Sequence, residues 1–339
     1  LVLIDSYSAD ALRFTLLSMA SPGRDVKLSE QRVKGYRNFL TKIWNANNFL
    51  KMNKCIFNKN IKPNKLSLNI NKWIYSELIN TKNLAEKYIK DYRFDEASRV
   101  IYKFVWNSYC DWYLELSKTI LYSRDKKSIK EIREVSSYIF KEVLILMHPF
   151  IPFVTEEIWL KNKLDKSNKS YLMYSNWITG NYKKGKEFKE VEKIINIISQ
   201  IRSFKNELNV SPGSFVDISL SKINTNNKSF FKHNDTVLKK LGRINSFFDK
   251  DIDKPSATVV ILGDIFKVYF EENVDLNVIK ENLLNKQKKC QNEIDKINSR
   301  LNNKDFISRA PKHIVDQEKT NYNNLKNDIK KISLTVKSL

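Results

Sequence analysis

From Ala9 to about Tyr122 the apolar residues recur every three or four positions, and only seven glycines and seven prolines interrupt the 339-residue chain. That spacing lays one continuous apolar stripe along each helix, so the first half must fold as long amphipathic helices that bury their stripes on one another. The pattern predicts a short helix from Ala9 to Ser18, ended by the SPGRD turn at Ser21, Pro22 and Gly23. Ser29 is then the expected N-cap of a long helix, Glu30 to about Met52, with Val33, Tyr36, Leu40, Ile43 and Leu50 on its apolar side. KPNKLS reads as a loop. Further helices are expected over Asn71–Asp91, Phe94–Tyr122, Ser128–Met147, Phe153–Asn162 and Glu187–Glu207. The fold expected from this order is mainly α, an antiparallel helical bundle.

The period then changes. FVDISLS from Phe215 alternates apolar and polar residues, and TVVIL and IFKVYF flank Gly263 and Asp264, a two-residue hairpin signal. A small α/β unit is expected between about Val210 and Glu272. Beyond it, Leu283, Gln287, Cys290, Ile294, Ile297 and Leu301 step by four and three. Val315, Glu318, Tyr322, Leu325, Ile329, Ile332, Val336 and Leu339 step by three and four. Each series is a heptad seam, and NNKDFISRAP supplies a turn with Pro311 at a helix start, so an antiparallel coiled-coil hairpin is expected. Helices of about 28 residues at ~1.5 Å rise reach about 40 Å, too long to share the main core.

A formal net charge of +22 points to a polyanionic partner, since clustered Lys and Arg release counterions from phosphates on binding. Lys, Asn and Ile are abundant, as A/T-rich coding produces, which accounts for part of that charge. The chain starts at Leu1, and the charged residues within LVLIDSYSADALRF do not suit a secretory signal, so it reads as a piece of a longer protein. Its longest apolar run, VLILMHPFIPFV from Val143, is too short to span a bilayer and is broken by Pro149 and Pro152. Cys55, Cys110 and Cys290 are scattered and odd in number, which argues against a disulfide framework or zinc site and for a reducing compartment. His148, His233 and His313 are equally scattered.

No phosphate loop, dinucleotide fingerprint, HExxH or nucleophile elbow is present, so no catalytic or metal-binding residue is expected. Asp111 and Glu115 share a helix face in CDWYLELSK, and Glu156 and Glu157 suit an early helix turn. Lys42, Asn45 and Phe49 lie at i, i+3 and i+7, with Gln31, Arg32 and Asn38 toward the N-terminus. One cation, one amide and one aromatic on a face can read unpaired bases; equally, Phe49 and Trp44 can be core residues.

DSYSADALRFTLLSMASPGRDVKLSEQRVKGYRNFLTKIWNANNF resembles the stretch that follows the active-site fold of class I aminoacyl-tRNA synthetases, closest to the valine enzymes. WNSYCDWYLELSK and MHPFIPFVTEEIW resemble landmarks of their anticodon-binding bundle, and RLNNKDFISRAPKHIVDQEK resembles the terminal arm of the valine enzymes. The resemblance covers essentially the whole chain. It implies residues 1–28 as the end of the catalytic core and stem-contact region, 29–185 as the anticodon-binding bundle, 186–273 as a connecting unit and 274–339 as the arm.

The implied function is to bind tRNA(Val) so that absent catalytic and editing domains attach valine using ATP with Mg, in a cytoplasmic monomer. The segment itself is then inactive and needs no cofactor. The implied anticodon contacts are Arg32, Lys42, Asn45, Phe49, Asp111, Leu114 and Glu115. Arg24 and Lys27 are implied at the tRNA body and Arg309, Lys312 and Lys319 at its outer corner. Gln31 departs from relatives that carry a basic residue there. KMNKC at Lys51 is similar to the family's KMSKS adenylate loop but lacks both serines and follows a helix, and so is read as a decoy. An isoleucine-type synthetase piece and a non-enzymatic basic adaptor are the alternatives.

Overall fold

The computed structural model describes residues 1–23, 25–55, 61–162, 171–180, 185–271, 274–303 and 311–339. They form two compact units, Leu1–Lys193 and Ile194–Leu339.

The first unit begins with α1 (Val2–Tyr7) and α2 (Ala9–Met19), joined at Ser8, whose hydroxyl accepts from the Ala11 amide at 3.3 Å. The bundle follows as α3 (Glu30–Met52), α4 (Asn69–Lys90), α5 (Phe94–Lys103), α6 (Leu114–Leu121) and α7 (Lys126–Met147). α8 (Pro152–Lys161) and α9 (Lys186–Glu207) come next, and the division between the units falls within α9. Ile43, Leu50, Ile74, Leu78, Ile139 and Val143 fill the bundle interior. Each such side chain contributes ~1.5–3 kcal/mol on burial.

One departure from the expected single helix over Phe94–Tyr122 bears on the site. Between α5 and α6 the chain winds as a π-helix, Phe104–Tyr113, so Phe94–Leu121 is one rod with a widened middle. Tyr109 and Tyr113 on this segment are fully buried. Their hydroxyls donate to the Ser136 carbonyl at 3.0 Å and to Asn71 Oδ1 at 2.7 Å, which satisfies polar groups that burial would otherwise penalise.

Carboxylates from distant segments cap the bundle helices. Glu131 accepts from the amides of Ser67 at 3.1 Å and Leu68 at 3.0 Å and from Asn71 Nδ2 at 2.9 Å, closing the start of α4. Asp10 accepts from the amides of Phe153 and Val154 at 3.3 and 2.7 Å, at the start of α8. α7 begins two residues before the expected Ser128 because Asp125 accepts from Lys127 and Ser128 at 3.0 and 3.3 Å. Ser29 occupies the N-cap position of α3 but makes no capping bond with its side chain.

In the second unit a four-stranded sheet runs in the order β2-β1-β4-β3, with β1 Val216–Ser219, β2 Ile244–Phe248, β3 Ala257–Ile261 and β4 Asp264–Phe270. β1 and β2 are parallel, joined through α10 (Thr225–His233) and α11 (Asp235–Gly242); the other pairings are antiparallel. The hairpin loop is shifted one residue from the sequence expectation. Asp264 already pairs with Ile261, so Leu262 and Gly263 form the turn, with φ of 54° and 84°. Two successive positive φ values are what a tight primed turn requires.

Lys205 on α9 is 2 % exposed, and its ammonium donates to the carbonyls of Ser214, Gly242 and Arg243 at 2.9, 3.1 and 3.2 Å. One buried cation thereby ties α9 to the end of α11 and to the approach to β1.

The C-terminal residues form a helical hairpin of α12 (Leu276–Asn302) and α13 (Lys312–Ser338), 27 residues each. No residue of the two expected seams is exposed. Gln287 donates across the seam to Ser333 at 3.0 Å, and Arg300 pairs with Glu318 at 2.9 Å. The base of the arm packs on the small α/β unit. Leu283, Ile332 and Thr335 line a cavity with Phe204 and Val259, and Thr335 donates to the Thr258 carbonyl at 3.5 Å.

Candidate nucleic-acid interface

Val33, Ile43 and Leu50 turn α3 toward the core, which leaves Lys42, Asn45 and Phe49 along its outer edge. The rod formed by α5, the π segment and α6 runs beside them. The Lys42 ammonium lies 3.8 Å over the Trp106 ring and is ion-paired with Asp111. Trp106 in turn stacks on Tyr102, centroids 5.7 Å apart and planes at 17°. Seven residues further along both helices, Phe49 meets the Lys118 ammonium at 5.5 Å, and Lys118 pairs with Glu115 at 2.6 Å. The two rungs repeat one composition: a cation over an aromatic face, held by a carboxylate. Asn45 projects from the turn between them, exposed.

The remaining expected contacts fall elsewhere. Leu114 is 5 % exposed, so it is a core residue with no surface to offer a ligand, which corrects the expectation for it. Arg32 is exposed on α3, but ten residues separate it from Lys42, about 15 Å along the axis. Lys27 is exposed in the link between α2 and α3, and Lys319 is exposed on α13. Lys312 begins α13, whereas Arg24 and Arg309 lie outside the described residues. Phe49 and Trp44 are both half-buried, with Lys161 at 5.0 Å from the Trp44 ring.

Trp106 had no signal at helical spacing. It stands five residues before Asp111, and α-helical winding places i and i+5 on different faces, whereas the i to i+5 winding of the π segment brings them together. Asp111 and Glu115 stay on the one face that their i+4 spacing suggested, each joining a different rung.

This arrangement can stack against planar groups and hydrogen-bond their edges. Lys42 and Lys118 are each neutralised by a carboxylate, so the face presents ring surfaces beside paired donors and acceptors. Two thiols lie nearby, and burial pushes Cys55 up to about 11 and Cys110 up to about 12, which keeps both protonated and unreactive near neutral pH. Among the described residues no group of His, Cys, Asp and Glu could hold a metal ion, and no helix is long and apolar enough to cross a membrane. KMNKC is the end of α3: Met52 closes the helix, Lys54 takes a φ of 57° and Cys55 turns into the core.

Residues 71–220 match the family model for the anticodon-binding domain of tRNA ligase, and residues 275–339 match that for the valyl tRNA synthetase tRNA binding arm. The valine–tRNA ligase of Pelagibacter ubique is 64% identical over 337 residues, 99% of this chain and 38% of its own length. That of Bartonella quintana is 35% identical over 100% of this chain and 38% of its own, and that of Zymomonas mobilis 34% over 99% and 38%. The chain thus spans about 38% of the length of these relatives. Trp106, Asp111 and Glu115 fall inside the anticodon-domain match, while Lys42, Asn45 and Phe49 precede it.

Proposed function

The chain belongs to the valine–tRNA ligase family, matching its C-terminal anticodon-binding and tRNA-arm regions, and from that premise we propose that it positions tRNA(Val) for the aminoacylating part of the enzyme. In this reading the complete protein attaches valine to tRNA with ATP and Mg as a cytoplasmic monomer. This segment carries out neither chemical step. ATP is a substrate of the complete reaction, and the chain has no phosphate loop to bind it.

The observation that carries the reading is the pair of rungs at Lys42–Trp106–Asp111 and Phe49–Lys118–Glu115, in a bundle matched to an anticodon-binding domain. Unpaired bases are read by stacking on aromatic faces and by hydrogen bonds to their edges, and the rungs with Asn45 between them offer both. Arg32 serves the same strand further along α3. Lys27 and Arg24 face the tRNA body, and Lys312, Lys319 and Arg309 give the arm its phosphate contacts at the outer corner. Residues 29–185 act as the anticodon-binding bundle, 186–273 as the connecting unit and 274–339 as the arm.

The test is binding of the full chain to valine tRNA and to the same tRNA with an exchanged anticodon, at two salt concentrations. A preference for the valine anticodon that survives raised salt supports base reading. Equal binding that collapses with salt reduces the site to a basic surface and overturns the assignment. Phe49→Ala sharpens the result: loss of a stacked base costs ~1–3 kcal/mol, against nearly nothing for charge-only binding.

A further inference from the structure

Four helix ends meet at one end of the bundle: the C-termini of α3 and α6 and the N-termini of α4 and α7. The Glu131 cap on Leu68 and the contact of Lys118 with Phe49 fix this arrangement. Lys51, Lys54, Lys65, Arg124, Lys126 and Lys127 are all exposed here. None of the six side chains is in a close ion pair among the described residues, and only Lys127 interacts with a carboxylate, that of Asp125. The acids of this end are engaged internally, Asp125 in capping α7 and Glu131 in capping α4.

The opposite end is different. Around the turn from α4 to α5, Lys82 and Lys90 pair with Glu86, Arg93 with Asp95 and Glu96, and Arg99 with Glu96. A compositional excess of lysine does not explain why one end is compensated and the other is not. Six exposed cations outside close ion pairs on one surface attract a polyanion, and each phosphate they meet releases condensed counterions. The patch also continues the recognition face. Lys51 follows Phe49 on α3, and Tyr122, 67% exposed, lies one turn beyond Lys118 on the neighbouring rod.

We propose that this basic end grips the phosphates of the RNA strand whose bases meet the Lys42–Phe49 face, so that Lys51 and Lys54 of KMNKC are backbone-binding residues. The proposal rests on the reading of the chain as a tRNA-positioning element. The bases set selectivity at the rungs, and the phosphates set affinity one to two turns further along.

The experiment is a salt titration of tRNA binding by the full chain and by the variant Lys51→Gln, Lys54→Gln, Arg124→Gln, Lys126→Gln, Lys127→Gln. A control variant, Lys222→Gln with Lys254→Gln, removes exposed charge from the small α/β unit. Each protein is titrated with intact valine tRNA and with the same tRNA lacking its anticodon arm, and thermal melting confirms that the variants fold. The slope of log K against log salt falls by roughly 0.7 for each contact to a single strand, hence by about 3.5 if all five charges meet phosphates. The expected result is such a fall for intact tRNA, little change without the anticodon arm, and little change for the control variant. A fall of less than one contact, or an equal fall on both RNAs, overturns the proposal. Anticodon preference of the unmodified chain is read separately, so base reading can fail while this patch stands, and the reverse.

Discussion

The ammonium of Lys42 rests 3.8 Å above the indole of Trp106, two residues 64 positions apart on neighbouring helices, the Trp106 helix being locally underwound to π geometry. Asp111 holds the same ammonium from the side. The cluster is partly exposed, so it contributes little to folding: ~0.5–1 kcal/mol for the cation over the ring and ~0.2–1 kcal/mol for the pair.

Lys42→Met should therefore lower unfolding stability by no more than about 2 kcal/mol while weakening valine tRNA binding by about tenfold or more, the scale of a lost hydrogen bond from a charged group. Denaturant unfolding and tRNA titration on one preparation separate the two effects. A variant that loses stability but keeps its affinity would make the cluster purely structural.

Leu262 holds a φ of 54° in the turn between β3 and β4, a conformation that suits Asn or Gly far better than a branched side chain. Leu262→Asn should stabilise the chain by about 0.5–1 kcal/mol and raise its melting temperature. A lower melting temperature would mean that the leucine side chain makes a contact worth more than the backbone strain.

Burial lowers the Lys205 ammonium to about 8, helped by the nearby charges of Arg243 and Arg202 and opposed by Glu271. The unfolded chain keeps that proton up to about pH 10.5, so between pH 8 and 10 it binds more protons than the folded chain, and this residue's contribution makes stability rise with pH. Comparing unfolding of the full chain and Lys205→Met across that window isolates the effect. An identical pH dependence in both proteins would show that the three carbonyls keep the ammonium charged.

Glu142 on α7 is 8 % exposed near Tyr75 and Tyr138, and burial raises its carboxyl to about 7. The folded chain holds this proton more tightly than the unfolded chain, so the associated stability is present below about pH 4.5 and is lost as pH rises through 7. Glu142→Gln should accordingly stabilise the chain by ~1–3 kcal/mol at pH 8 and change little at pH 4.5. Equal effects at both values would place the carboxyl in contact with water.

What the sequence made legible was whatever its own periodicity carries. The stripe of Val33, Leu40, Ile43 and Leu50, the seam from Leu283 to Leu301 and the alternation in FVDISLS all report burial directly, because side-chain direction follows backbone period. β2 was not legible: INSFF does not alternate, and its place beside β1 is decided by a crossover through two short helices. The caps supplied by Asp10 and Glu131 were hidden too, since their partners are 143 and 60 residues away. On the outer edge of α3, Lys42, Asn45 and Phe49 could be grouped from i, i+3 and i+7 spacing. Trp106 could not, because its neighbour depends on a winding that single-sequence spacing assumes to be uniform.

The widened stretch from Phe104 to Tyr113 makes helical winding itself a determinant of the surface. Regular α winding of the same residues from Trp106 to Asp111 would turn Asp111 and everything beyond it by about 100° relative to Trp106. Asp111 would leave Lys42 and Lys118 would swing away from Phe49, with Glu115 following Lys118 on the same helix and every side chain intact. Substitutions can retune this face one contact at a time, whereas loss of the widened winding would dismantle both rungs together.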